Sequence, residues 1–269
     1  DVNFAVTKGV WEACFHDPRF TPSVHQQELV NAGFLGRKSG RGFYDYAPGA
    51  IRPAPATEDP QAAPSGVVVH GDLGPAAALV ERIAARGVVP ERRDAHVAFP
   101  GGAIAVDGTW LALTDGRTAT ARAVAAGVRD LVLFDLALDY HTATRLAVAR
   151  ADACGDAAFV AAVGALQAAG LAVSCVDDIA GLPVMRTVAM LANEAADAVQ
   201  QGIASPADVD TAMRLGVGYP RGPLAWADGI GLARVRDVLA NLSLHYGEPR
   251  YRIAPRLARQ ACGGGRLAA

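Results

Sequence analysis

The chain has 269 residues, 51% of them hydrophobic, with 25 basic and 27 acidic side chains and a formal charge of −2. That length and apolar fraction allow one large or two medium domains with a sizeable core, and the slightly acidic balance argues against nucleic acid or a membrane surface as partner. No apolar run approaches the roughly eighteen uncharged residues of a membrane span, Asp1-Val2-Asn3 is not a secretion leader, and Cys14, Cys154, Cys175 and Cys262 lack metal-site spacing, which points to a reducing cytoplasm and no metal.

Phe4, Val6, Val10 and Trp11 form an apolar stripe already under way at the first residue without a cap, so residues 1–46 read as a domain cut inside a longer protein. Asp17-Pro18-Arg19-Phe20-Thr21-Pro22 is a turn, and residues 24–32 form a short helix stopped at Gly33. The stretch from Gly36 to Tyr46 holds Arg37-Lys38-Ser39, but Arg37 stands where a phosphate loop needs glycine and a helix precedes it rather than a strand. Its three cations and three aromatics could grip nucleic acid, which the charge balance opposes. It reads as a glycine-rich closing loop whose aromatics cover a core. Residues 47–66, with Pro48, Pro53, Pro55, Pro60 and Pro64, read as a stiff, extended linker.

From residue 67 to 180 strand runs alternate with helix signals. Strands are expected at 67–69, 97–99, 104–106, 110–113, 131–134, 146–149 and 171–176, and helices at 75–86, 118–126 and 156–169. The alternation implies parallel pairing in a doubly wound sheet. A dinucleotide fingerprint needs three glycines after the first strand. Gly71 and Gly74 fit the second and third places, Val69 holds the first, and Glu91 is the acidic residue at ribose distance, set in the charged run Glu91-Arg92-Arg93-Asp94.

Residues 181–262 read as a helical domain, with a tail over 263–269. Val184, Val188, Leu191, Ala195 and Val199 share one helix face, and Gly202 is the stop. Ser205-Pro206-Ala207-Asp208 starts the next helix with a hydroxyl cap, proline at the first position and an acid in the first turn. Gly216, Gly218, Pro220, Gly222 and Pro223 exclude helix, and a last amphipathic helix carries Leu232, Val235, Leu239, Leu242 and Tyr246 up to Gly247.

Asn193-Glu194-Ala195, Asp208-Val209-Asp210-Thr211-Ala212-Met213, Gly218-Tyr219-Pro220-Arg221-Gly222-Pro223-Leu224 and Asp228-Gly229-Ile230-Gly231 together resemble the C-terminal helical domain of 3-hydroxyacyl-CoA dehydrogenases. Asp17-Pro18-Arg19 and the stretch from Leu29 to Tyr46 are similar to the end of that same domain. The resemblance implies a fold that is α/β plus all-α: a degenerate Rossmann-like sheet flanked by two such helical domains, the first truncated, as in a bacterial long form that includes members acting in phenylacetate breakdown. It also implies an NAD-dependent conversion of (S)-3-hydroxyacyl-CoA to 3-oxoacyl-CoA in fatty-acid β-oxidation or breakdown of aromatic-derived acyl-CoA. The working Rossmann domain would precede Asp1. Lys38, Asn193, Glu194, Arg221 and Asp228 become candidate substrate or interface contacts, and Gly71 and Gly74 degenerate nucleotide contacts.

Three departures from the family pattern lead us to expect no catalytic residue here. The family places a histidine before a Leu-Val-Glu-Val type strand, whereas Arg145-Leu146-Ala147-Val148-Ala149 has no glutamate and His141 lacks the aromatic-Asn-Pro neighbours. Met185 replaces an asparagine that faces substrate, and methionine cannot donate the amide hydrogen bond. Val69 replaces a turn glycine. His16, His25, His70, His96 and His245 lack partner motifs and read as ordinary loop or surface histidines. Asn193, Glu194, Asp210 and Asp228 read as packing and turn contacts. The fragment is expected neither to turn over substrate alone nor to bind NAD tightly. Two alternatives stand beside this: a complete stand-alone Rossmann-type dehydrogenase, and a non-catalytic assembly module. An upstream strand-G-x-G-x-x-G-helix with a His/Glu pair would support the first reading, and a start codon just before Asp1 would refute it. The helical copies are expected to pair, as an intrachain pseudo-dimer or across a homodimer, with the tether favouring the intrachain form.

Overall fold

The computed structural model describes residues 1–268, so Ala269 of the expected tail lies outside them. The chain separates into two compact units, Asp1–Pro55 with Glu248–Tyr251, and Ala56–Gly247 with the residues from Arg252 onward.

In the first unit α1 (Val2–Ala13) leads to a 3-10 turn at Pro18–Phe20, where the Asp17 carboxylate accepts from the Arg19 N–H at 2.9 Å. Helix α2 (Val24–Asn31) follows, and Gly33 leaves it at φ +76°. The closing loop is pinned by Ser39, whose Oγ accepts from the Leu35 N–H and donates to the Arg41 carbonyl. Its aromatics do not cover a core as expected. Phe43 and Tyr44 are 69% and 58% exposed, and neither α1 nor α2 has a fully buried residue. The loop is organised by cation–π stacking instead, Arg41 over Phe34 at 4.4 Å and Arg37 over Tyr46 at 5.3 Å.

The second unit opens with an extended segment that is docked rather than free. The Glu58 N–H donates to the Val173 carbonyl at 2.9 Å, the Ser174 hydroxyl donates to Ala56, and the Gln167 amide donates to Asp59 and accepts from the Gln61 N–H. A Cβ on Gly164 would collide with the Ala62 carbonyl, so glycine is needed where this segment crosses a helix. Of the expected linker, residues 47–55 thus belong to the first unit and residues 56–66 to the second.

Among the described residues seven strands form one sheet: β1 (Val67–His70), β2 (Glu91–Arg93), β3 (Ala103–Val106), β4 (Thr109–Leu113), β5 (Leu131–Phe134), β6 (Arg145–Arg150) and β7 (Ala172–Cys175), in spatial order β2-β1-β3-β4-β5-β6-β7. Helices on both faces give the doubly wound form, but the pairing is mixed rather than parallel throughout: β1–β3, β3–β4 and β5–β6 are antiparallel. The cause is local. Asp107 and Gly108 take φ +46° and +85° and close a two-residue hairpin between β3 and β4, leaving no room for a crossover helix. The expected strand at 97–99 is a turn, with the Phe99 N–H on the His96 carbonyl, while the charged run at 91–93 forms the edge strand instead. Helix α3 (Ala77–Ala84) and α5 (Asp156–Ala168) lie on one face, where the Thr109 hydroxyl donates to Ala158; α4 (Ala119–Ala126), capped by Thr118, lies on the other.

The helical part comprises α6 (Pro183–Gln200), α7 (Pro206–Gly216), α8 (Pro223–Ile230), α9 (Leu232–Tyr246) and α10 (Pro255–Gly263). Sequence reasoning passed over α8 and α10, each of which starts with proline at its first position. Helix α6 turns inward a face displaced from the expected stripe, of which Val188 and Ala195 are buried. Met185, Ala189, Ala192 and Ala196 are fully buried with Val188, while Val184 is 38% exposed, because the alanines let α8, α9 and α10 approach its axis. The residues after α10 are not loose: Leu267 is buried, and the Asp228 carboxylate accepts from the N–H groups of Leu267 and Ala268. None of the described helices is long and apolar enough to cross a membrane.

Candidate functional site

In an α/β sheet ligands collect beyond the carboxyl ends of strands, where loops diverge and helix N-termini point. Strands β1, β4 and β5 run in one direction, and at their carboxyl ends lies a cleft of 680 Å³ between the loops after β1 and β4, the loop before β3, and one side of α9. The walls are fixed by backbone approach. Cβ atoms on Gly102 or Gly116 would strike the backbone of Asp72 or Val238, at φ +80° and +96°, and the Asn241 amide donates to the Asp115 carbonyl at 2.8 Å.

Three arginines line this cleft: Arg117, Arg122 and Arg234. Arg122 is 5% exposed; its Nη1 donates to the Leu113 carbonyl at 2.6 Å and its guanidinium lies over Phe99. Arg117 grips the Asp115 carboxylate through Nε at 3.1 Å and Nη2 at 2.6 Å, and Arg122 Nε stands 3.3 Å from the same oxygen. Burial would raise the Asp115 carboxyl, but the charges of Arg122 and Arg117 and the Arg117 hydrogen bonds hold it below the ordinary carboxylate range. Burial lowers the Arg122 guanidinium, Asp115 opposes that, and Arg117 and Arg234 add to it. Arg234 reaches across from α9 and has one long hydrogen bond, 3.4 Å to the Gly101 carbonyl.

A dinucleotide does not fit the β1 loop. Gly74 takes φ +56°, but its N–H already donates to the Asp72 carboxylate at 2.8 Å, and Pro75 has no N–H to offer a phosphate. Val69 is buried inside β1, where the first glycine of the fingerprint would stand. Glu91 begins β2 instead of ending it and pairs with Arg93 at 2.7 Å, which removes it from ribose distance.

Comparison with known proteins decides the family. A profile described as the 3-hydroxyacyl-CoA dehydrogenase C-terminal domain matches residues 1–46 and 181–268, and one described as the 3-hydroxybutyryl-CoA dehydrogenase reduced Rossmann-fold domain matches 111–179. The chain belongs to the 3-hydroxyacyl-CoA dehydrogenase family. It is 38% identical over 261 residues to 3-hydroxyadipyl-CoA dehydrogenase of Escherichia coli (strain K12), covering 97% of this chain and 48% of that protein. A probable 3-hydroxybutyryl-CoA dehydrogenase of Bacillus subtilis (strain 168) is 36% identical over 89 residues, 33% of this chain and 31% of its own. The crystal structure of 3-hydroxybutyryl-CoA dehydrogenase from Escherichia coli K12 superposes with a TM-score of 0.80 at 37% identity, over 97% of this chain and 48% of that one. The chain thus spans about half the length of that full-coverage relative.

Within this family member the residues singled out by sequence are dispersed. Lys38 pairs with Asp1 in the first unit. Asn193 is buried, its amide donating to the Arg252 carbonyl and its carbonyl accepting from the Ala254 N–H, each at 2.8 Å. Glu194 is half-buried on α6, Arg221 runs over Gly229 of α8, and the Asp210 carboxylate caps α8 through the Leu224 and Ala225 N–H groups. Gly74 alone of these lines the cleft; Gly71 turns the chain against Ala95 at its side. His141 is an exposed loop residue, 3.9 Å from an equally exposed Glu81. Sequence reasoning missed Asp115, Arg117, Arg122 and Arg234 as a group, and also missed Asp135. That carboxylate, 1% exposed after β5, accepts from the N–H groups of Leu136, Val184 and Met185 at 2.7–2.8 Å.

Proposed function

We propose that this chain contributes to an NAD-dependent (S)-3-hydroxyacyl-CoA dehydrogenase of the cytoplasm, which converts 3-hydroxyacyl-CoA to 3-oxoacyl-CoA in fatty-acid or aromatic-derived acyl-CoA degradation, and that its own role is substrate-side packing and dimerisation. The observation that carries this reading is the pairing of two stretches of the family's helical domain with a Rossmann-like sheet whose β1 loop turns the Gly74 N–H onto the Asp72 carboxylate. The reaction needs a base to take the 3-hydroxyl proton and a carboxylate to orient that base; NAD would accept the hydride. In this chain Met185 is buried with its N–H on Asp135, and the His141 ring is turned to solvent, 3.9 Å from an equally exposed Glu81. The base, its partner and the nucleotide site therefore belong to a separate Rossmann domain of the working enzyme. Lys38, Asn193, Glu194, Arg221 and Asp228 then serve helical packing, with acyl-CoA as the substrate of the assembled protein.

The test is a spectrophotometric assay of the purified chain with acetoacetyl-CoA and NADH. We expect no NADH consumption above background. Consumption that disappears in His141→Ala would overturn the assignment of this chain to a non-catalytic role.

A further inference from the structure

The cleft at the carboxyl ends of β1 and β4 carries charges that the dehydrogenase reading does not use. Its acids are all engaged: Asp115 by Arg117 and Arg122, Asp72 by the Gly74 N–H, and Asp237 by Arg236 from outside at 2.7 Å. Among the described residues no carboxylate lies within 4 Å of Arg234. Its single bond to the Gly101 carbonyl leaves most of its donors open, and its guanidinium shares the cleft with those of Arg117 and Arg122.

Asp115 lies against Arg117 and Arg122, which leaves Arg234, among the described residues, as the guanidinium of this cavity without a carboxylate partner. The arrangement is built rather than incidental. Gly74 and Gly101 flank Arg234 so closely that Cβ atoms would come within 3.0 and 3.5 Å of its nitrogens, and the buried Arg122 Nε has no hydrogen-bond partner of acceptable geometry. Guanidinium groups are planar forks suited to phosphoryl oxygens, and 680 Å³ is ample for a nucleotide-sized molecule.

We propose that this cleft is a phosphoryl-oxyanion site, with Arg234 as its principal ligand, Arg117 and Arg122 beside it, and no role for the β1 loop as a dinucleotide cradle. The ligand is inorganic phosphate or the phosphate of a mononucleotide.

Calorimetric titration of the intact chain with inorganic phosphate and, separately, with AMP tests this at low salt, in a buffer free of other oxyanions. We expect saturable binding that Arg234→Gln weakens about tenfold, the loss of one charge-assisted contact. Arg234→Lys should retain part of the affinity, and Arg214→Gln on the exposed face of α7 should leave it unchanged. Tighter binding of AMP would assign the site to a nucleotide, and equal binding to the free ion; both support it. No saturable binding of either probe, or affinity unchanged in both Arg234 variants, would overturn it. Melting of Arg234→Gln at the wild-type temperature would show that a lost affinity is not lost folding.

Discussion

Two carboxylates of the α/β half, Asp115 and Asp135, meet opposite fates, and their partners decide which. Asp115 faces two guanidinia and sits below the ordinary carboxylate range, whereas Asp135 has only N–H dipoles, and burial pushes it above that range despite three hydrogen bonds. Because the folded-state value of Asp115 lies below its unfolded value, its contribution to stability is present above the unfolded value of 3.8 and is lost as pH falls through the folded value. Asp135 works with the other sign: its ionisation costs stability as pH rises through the raised value, and acidification relieves that cost. We therefore expect Asp115→Asn to be markedly less stable than wild type at neutral pH, with two guanidinia left short of charge. The gap should narrow as pH falls into the acid range. Urea midpoints measured across that range check it, and a gap that stays constant with pH would show that Asp115 does not titrate against these arginines.

At the scale of elements, α6 joins the sheet to the helices, and its start is the vulnerable point. Its N-cap is Leu182 at φ +53°, a left-handed conformation costly for a bulky side chain and one whose side chain cannot cap. Asp135 takes over that task from the end of β5, so that one carboxylate satisfies the helix N-terminus and anchors it to the sheet. Asp135→Ala leaves buried N–H groups without acceptors and should cost about 3 kcal/mol, whereas Val184→Ala, next to Met185 but turned outward, should cost under about 1 kcal/mol. Denaturant unfolding with far-ultraviolet detection reads both, and equal losses would refute the anchoring role. This anchor also marks where the sequence stops being readable. Strand runs such as 131–134, the Ser205 cap and the glycine stops are local signals, and the structure carries each of them. The Asp135 bonds span 49 and 50 positions, and Arg234 and Gly101 are 133 apart; no spacing rule reaches that far. The inward face of α6 was read only in part, at Val188 and Ala195, because periodicity weights valine and leucine while most of the contact is made by alanines that permit close approach. The hairpin at Asp107-Gly108 was legible in principle, since Asp-Gly between two apolar runs is a strong turn signal.

For the whole molecule, the first unit has the least apolar surface put away. Val2, Val6 and Val10 of α1 are 70%, 58% and 45% exposed, Phe15 is 94% exposed, and Phe43 and Tyr44 are exposed as well, more apolar surface than small helical segments can internalise alone. The exposed valine stripe of α1 favours association, and in an isologous dimer each residue of the face is used twice, so a charge placed there is doubly penalised. Helical domains of this family recur in the chain, residues 1–46 and 181–268 matching one description, which supplies two related surfaces for pairing. We propose that the face of α1 is covered by a helical domain of a second copy of the chain. Light scattering of the purified protein should give twice the mass of the chain, and Val6→Asp with Val10→Asp, on one stripe of α1, should return it to monomer without lowering the unfolding midpoint of the α/β part. A wild-type protein that scatters as a monomer over a wide concentration range would remove the dimer and leave pairing within one chain as the arrangement to test.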